Sequence, residues 1–208
     1  LVLDEADEML RMGFIDDVEW ILEQLPEERQ LILFSATMPK EVLKISKNYM
    51  NKPKKIQVDS NNEGAKDIEH NYYLVSSIKD KYQALRRICD INPHIYGIVF
   101  CRTRRESKDI SAKLLQDGYN ADSLNGDLSQ PQRDQVMGRF RKKQIQLLIA
   151  TDVAARGLDI PVIKHVINYD LPQVPEDYIH RIGRTGRAGK DGSALTFLAS
   201  NDRNMWRS

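Results

Sequence analysis

Paired carboxylates stand near one end of this sequence and evenly stepped guanidinium groups near the other. Asp4-Glu5-Ala6-Asp7 follows directly on the apolar run Leu1-Val2-Leu3, and His180-Arg181-Ile182-Gly183-Arg184-Thr185-Gly186-Arg187 lies far downstream. A strand that ends in two acids can hold a hydrated Mg²⁺ and orient a water, while fixed cationic forks neutralise charge on a phosphoryl group in transfer. Together the two sets imply a nucleotide site, in which Asp4 binds the metal through water and Glu5 polarises the attacking water. Taken alone, D-E-x-D also fits a helix N-terminus whose acids face the dipole. No G-x-x-x-x-G-K-[ST] phosphate loop occurs in the sequence.

Other residues extend the pattern. Ser35-Ala36-Thr37 offers hydroxyls that could clamp Asp7 and an incoming His180; alone, the same triplet fits an N-cap ahead of Met38-Pro39. The formal net charge is only +1, which argues against a histone-like or tail-type nucleic-acid binder and leaves any polyanion contact to local clusters. Arg102, Arg104 and Arg105 form one such cluster, and Arg139, Arg141, Lys142 and Lys143 another that fits a solvated face equally well. Arg181, Arg184 and Arg187 recur at a three-residue step, and the glycines flanking Arg184 suggest close backbone approach to a ligand or partner domain. Cys89 and Cys101 lie far apart and outside any metal-ligand spacing, so buried thiols in a reducing compartment are expected. No stretch approaches the roughly 18 continuous apolar residues of a membrane span and no leader pattern opens the sequence, so it reads as cytoplasmic.

Elements must hold these groups in place. Leu1–Leu3 reads as a short strand; Ile15, Val18, Ile21, Leu22 and Leu25 repeat at helical spacing until Pro26; Leu31–Phe34 reads as a buried strand. A helix opens at Pro39, and the run from Lys55 to Val58 can return to a sheet. Residues 59–67 turn polar and read as an interdomain linker between a region 1–58 and a region 68–208. Downstream, strands are expected at Asn71–Val75, Ile98–Cys101, Ala121–Leu124, Leu147–Ala150, Val162–Tyr169 and Ala194–Leu198. Helices from about Lys79 to Ile91, Arg105 to Asp117 with Gly118 as C-cap, Ser129 to Arg141 behind a capping box, and from Pro175 separate them. Strands alternating with helices imply parallel pairing through right-handed crossovers, so the class is α/β, a parallel sheet flanked by helices.

In such sheets ligands lie beyond the C-terminal strand ends, and Asp4, Ser35, Arg102 and Thr151 all fall at such tips. With Asp4–Asp7, Ser35–Thr37, the run Thr151-Asp152-Val153-Ala154-Ala155-Arg156-Gly157-Leu158-Asp159 and His180 to Gly189 in that order, the sequence resembles the DEAD-box RNA helicases over nearly its whole length. The resemblance implies a complete second RecA-like domain at 68–208, preceded by the C-terminal part of the first at 1–58. It implies an ATP-dependent RNA helicase that uses ATP and Mg²⁺. Asp4 and Glu5 look like the metal-binding and catalytic acids, and Ser35 with Thr37 like the coupling motif. Arg184 and Arg187 resemble arginine fingers that reach the β- and γ-phosphates. Gly157 and Asp159 fall in a nucleotide-binding stretch, Asp159 near the ribose, and His180 ties domain closure to the acidic motif through Asp7. Arg102, Thr103, Gly126 after Asn125, Arg133 and Thr151 fall where the family holds the sugar-phosphate backbone of one RNA strand.

The resemblance further implies single-stranded and structured RNA as partners, a monomeric core, and auxiliary partners among ribosome-assembly or RNA-decay proteins. The run Asp7–Phe14 resembles the bacterial cold-shock and ribosome-assembly members in particular. Because the family's phosphate loop precedes its carboxylate strand, the sequence is expected to be part of a longer helicase and inactive as an ATPase by itself. Two rivals stay open: a non-enzymatic RNA-binding module, and a DNA-directed helicase of the same superfamily.

Overall fold

Among the described residues every strand pair is parallel, the arrangement that helical crossovers between successive strands impose. The structure, a computed structural model, describes residues 1–57, 68–158, 160–161, 163–186 and 191–202, and it divides into two compact units, Leu1–Asp59 and Ser60–Ser208. The expected linker at 59–67 lies outside the described residues. Among those described, no helix is long and apolar enough to cross a membrane.

In the first unit β1 (Val2–Leu3) pairs with β2 (Ile32–Leu33), beside α1 (Ala6–Arg11), α2 (Ile15–Glu23) and α3 (Lys40–Tyr49). Leu3, Ala6, Val18, Leu22, Val42 and Ile45 make its core. Val18 and Leu22, one helical turn apart, supply the apolar stripe of α2, as their spacing dictates. Two expectations need correction. The stretch Leu31–Phe34 is not a buried strand: only Ile32–Leu33 pair, and Phe34 is 56% exposed, because β2 has a single strand neighbour in this unit. Residues 55–57 carry no regular element, and Val58 lies outside the described residues.

The second unit holds a six-stranded sheet in the order β3-β8-β7-β4-β6-β5, with β3 (Ile68–Leu74), β4 (Gly97–Phe100), β5 (Ala121–Leu124), β6 (Leu147–Ala150), β7 (His165–Asn168) and β8 (Gly192–Leu198). Between them run α4 (Ile78–Ile91), α5 (Arg104–Gln116), α6 (Gln130–Arg141), α7 (Asp152–Ala155) and α8 (Pro175–Ile182). Side chains alternate across β4: Val99 joins Leu85, Ile110 and Leu114 beneath α4 and α5, while Ile98 and Phe100 join Val136, Phe140 and Ala154 beneath α6 and α7. Both faces are therefore buried, as the unbroken apolar runs of β4 and β6 require. Ser129 and Gln132 form the expected capping box of α6, Pro175 occupies the first turn of α8, and Gly118, at φ +89°, turns the chain away from α5. β7 is shorter than the run Val162–Tyr169 suggests, and Val162 lies outside the described residues.

The connections leaving β4 and β7, which are neighbours, run in opposite directions: β4 leads toward β5 at one edge, β7 toward β8 on the other side. Diverging crossovers open a crevice at the C-terminal ends of those two strands, the place where open α/β sheets receive ligands.

Candidate functional site

In the first unit, β1 and β2 deliver the acidic and hydroxyl motifs side by side. Asp4 follows β1 directly and is exposed; its Oδ1 accepts the Glu5 N–H at 2.9 Å. Glu5 precedes α1 with φ 52° and ψ 43°, a left-handed conformation that costs a non-glycine residue about 1–2 kcal/mol. The cost is carried by the neighbouring ladder, where the Ala6 N–H donates to Phe34 O at 3.0 Å. Asp7 is buried and hydrogen-bonded to the hydroxyl motif. Its Oδ2 accepts both the Thr37 hydroxyl at 2.7 Å and the Thr37 N–H at 2.8 Å, and its own N–H donates to Ser35 Oγ at 3.2 Å. Burial would raise the Asp7 carboxyl, but the bonds from Thr37 and Ser35 outweigh it and hold the group below the usual range. Ser35 and Thr37 thus bind Asp7 rather than cap α3, whose N-cap position is Pro39 with no side-chain bond.

In the second unit, three adjacent strands β4, β6 and β5 end at one rim. Arg102 and Thr103 follow β4, Thr151 follows β6, and Gly126 lies two residues past β5. Arg102 is exposed, and its backbone N–H donates to Asp170 Oδ2 at 3.1 Å. Thr103 caps α5 by accepting the Glu106 N–H at 3.1 Å. Thr151, only 8% exposed, begins α7, and Arg133 on α6 donates to Ala154 O at 3.0 Å, which ties those two helices together. Gly157 follows α7, while Asp159 and Arg187 lie outside the described residues.

His180 sits in the last turn of α8, and Arg184 in the turn after it, half-buried, with Nη1 donating to Leu158 O at 3.4 Å. Arg181 behaves differently from its neighbours in the arginine series. It is 2% exposed, forks onto both oxygens of Asp152 at 2.6 and 2.8 Å, and donates to Asn168 Oδ1 and to Asp170 O. Its guanidinium also lies 5.0 Å from the Phe100 ring centre. The helix ends at Ile182, so Arg184 leaves its face and lies in the turn beyond it, while Arg181 points into the core. The glycines there also act internally. Gly186 has φ +65°, and a Cβ at Gly192 would lie 2.6 Å from Gly186 N, so the close backbone approach is between this turn and β8. Of the other basic cluster, Arg139 pairs with Asp122 at 2.8 Å.

Sequence reasoning passed over a buried charge cluster at the β4–β7 crevice. Lys81, 2% exposed, donates to Asp170 Oδ1 at 3.0 Å and stands 3.4 Å from Asp202. A signal was available: Lys81 shares the buried stripe of α4 with Leu85, Ile88 and Cys89, a cation at an apolar position. Cys89 and Cys101 are buried free thiols; burial pushes Cys89 up to about 12 and Cys101 well above its ordinary value.

Comparison with known proteins agrees with this geometry. The family described as "Helicase conserved C-terminal domain" matches residues 80–189, and "DEAD/DEAH box helicase" matches residues 1–45. The ATP-dependent RNA helicase CshA of Listeria monocytogenes is 50% identical over 198 residues, which cover 95% of this chain and 38% of that protein. CshA of Bacillus subtilis is 45% identical over 207 residues, 100% of this chain and 42% of that protein. The chain thus spans about two fifths of the length of these relatives. Among solved structures, S. cerevisiae Dbp5 bound to RNA and ADP BeF3 superposes with a TM-score of 0.85 at 34% identity, over 99% of this chain and 55% of that one. A parallel sheet with its motif residues at the strand tips, matched by both family descriptions in chain order, places this protein in the DEAD-box RNA helicase family.

Proposed function

We propose that this chain is part of an ATP-dependent RNA helicase that closes two RecA-like domains on ATP and one RNA strand, and that melts short duplexes by bending the strand it holds. The observation that carries this reading is the delivery of motif residues to C-terminal strand tips: carboxylates and hydroxyls in the first unit, Arg102, Thr103, Gly126 and Thr151 in the second. Asp4, an exposed carboxylate at the tip of β1, suits a hydrated Mg²⁺, which would neutralise charge on the phosphates when bound. Glu5 orients the attacking water beside it. Arg184 and Arg187 stabilise the charge that develops on the γ-phosphoryl group, and Gly157 and Asp159 lie against the nucleotide. Asp7, held by Ser35 and Thr37, meets His180 on closure and couples the ATP site to the RNA rim.

On that rim Arg102, Thr103, Gly126, Arg133 and Thr151 grip the sugar-phosphate backbone, so binding is sequence-tolerant and weakens with salt. Contacts to 2′-hydroxyls would favour RNA over DNA, and competition between strands of identical sequence separates this reading from a DNA-directed helicase. The protein would act in the cytoplasm. The 208-residue chain, having no phosphate-loop motif, is expected to bind RNA weakly and to hydrolyse no ATP; the alternative is a passive RNA-binding module. RNA-stimulated phosphate release by the longer protein decides between them. Arg184→Ala is expected to lower turnover by about 10³- to 10⁵-fold, the worth of an arginine finger, with the fold intact. Unchanged turnover in the variant would end the finger assignment, and no RNA-stimulated turnover in the wild type would favour the passive module.

A further inference from the structure

The crevice between β4 and β7 holds a group of side chains that no part of the reading above uses. It opens into a groove of about 680 Å³, walled by α4 and α5, with Arg102 and Thr103 at one end and Lys81, Glu106 and Asp170 in its wall and floor. Asp170 lies at the centre. One oxygen takes the Lys81 ammonium at 3.0 Å and the other takes the Arg102 N–H at 3.1 Å. The Glu106 carboxyl hydrogen-bonds Asp170 as well. Two carboxyl groups in direct contact hold a proton between them, because both cannot ionise in a partly buried site without strong repulsion. Glu106 also gives its backbone N–H to Thr103 Oγ1. Both residues of the turn that faces the RNA rim are therefore tied to this pair: Arg102 through the Asp170 carboxyl, Thr103 through the first turn of α5.

We propose that Glu106 and Asp170, joined by one proton and anchored by Lys81, are positioning residues for the Arg102–Thr103 turn, and that ionisation of Glu106 loosens the hold of that turn on an RNA backbone. The inference rests on the reading of this rim as the RNA contact. The neighbours leave Glu106 as the group that changes state near neutrality. Burial first, then the bond to Asp170, push its carboxyl up to about 7, while Lys81 and the shared proton keep Asp170 below its ordinary value despite burial. From α4, Tyr82 is pushed far up by burial and by Asp117, and beyond β7 Tyr169 is likewise pushed up by burial and by Glu106, so both phenols stay neutral. Cys101, behind the turn, is held neutral by burial. The other ionisable groups around the pair are Lys79 and Lys81 on α4, Arg105, Asp109 and Lys113 on α5, Arg102, Asp202, and Arg181 on α8. Buried beside Lys81 stand two aspartates already, Asp170 and Asp202, so a second ionised carboxylate against Asp170 meets uncompensated negative charge. The sign follows: Glu106 is raised in the folded state, so the protonated arrangement holds below about 7 and is lost as pH rises through that value.

The test measures anisotropy of a labelled single-stranded oligouridylate with the 208-residue chain at constant salt. Wild-type affinity is expected to fall by roughly three- to tenfold between about pH 6 and about pH 8. Glu106→Gln keeps a donor for Asp170 without a titrating proton and is expected to bind equally at both pH values, near the wild-type level at low pH. Arg102→Ala should weaken binding at both. If Arg102→Ala lowers affinity but Glu106→Gln retains the full wild-type response to pH, the positioning role is wrong while the RNA rim stands; if Arg102→Ala changes nothing, the rim and the inference fall together. A carboxyl ¹³C titration of wild-type Glu106 needs no variant: a midpoint near 7 supports the proposal, and one in the ordinary carboxylate range overturns it.

Discussion

At the scale of single residues, the second unit is organised by charges placed where an apolar side chain would be expected. Arg181 makes four hydrogen bonds while 2% exposed, and each partner would be left short of a bond by its removal. Breaking one side of a buried ion pair costs about 3–5 kcal/mol, so Arg181→Ala should lower the unfolding free energy of this unit by that amount, read as a lower denaturant midpoint. Arg181→Lys should recover little, since a point ammonium cannot match the two-oxygen fork onto Asp152. Asp7 makes a parallel argument in the first unit. Its carboxyl lies below the ordinary range, so its contribution is full above the unfolded value and fades as pH falls through the folded one, below about pH 4. Thr37→Val removes the hydroxyl bond to Asp7 and should cost about 1 kcal/mol, with a smaller acid sensitivity in a thermal melt. The acidic and hydroxyl motifs were legible in sequence because their residues stand in short, ordered strings. Lys81 and Asp170, 89 residues apart, meet only through the sheet order: the apolar stripe around Lys81 marks a buried cation but does not name its partner.

Elements were more legible than individual side chains, and the reasons are physical. Leu147–Ala150 has the bounds that its apolar run and flanking turns suggest, because a strand covered on both faces must be apolar throughout, while Ala121–Leu124, an edge strand, keeps Asp122 and Ser123 half-buried between buried Ala121 and Leu124. The capping box at Ser129 and the proline at 175 mark helix starts by local hydrogen bonding and ring geometry, which no tertiary contact overrides here. Leu31–Phe34 misleads for the opposite reason: burial of a run depends on how many strands flank it, a property of the sheet and not of the run. A tertiary contact is equally hidden at Gly192, whose close approach to Gly186 depends on where β8 lies beside that turn. Gly192→Ala would drive a methyl against Gly186 N and Thr185 Oγ1. It should destabilise this unit by about 1–3 kcal/mol through overpacking, read as a lower melting temperature.

At the scale of the whole molecule, the two units differ in what holds them. The second has two buried layers around a six-stranded sheet, and the central strands β4, β6 and β7 are almost wholly inaccessible. The first has six buried apolar residues and a two-stranded sheet, too little to be more than marginal by itself. Amide exchange on the 208-residue chain should therefore show strong protection in β4, β6 and β7 and weak protection in β1 and β2. Equal protection in both units would contradict that ordering.

The central claim is that Glu5 in the first unit and Arg184 in the second act on one phosphoryl transfer. Single-turnover ATP hydrolysis by the longer protein, with saturating RNA, tests it through Glu5→Gln, Arg184→Ala and the double variant. Groups that stabilise the same transition state act as a unit, so the double variant should be about as slow as the slower single one. Losses that multiply across the two sites, or an Arg184→Ala enzyme as fast as wild type, would contradict the account.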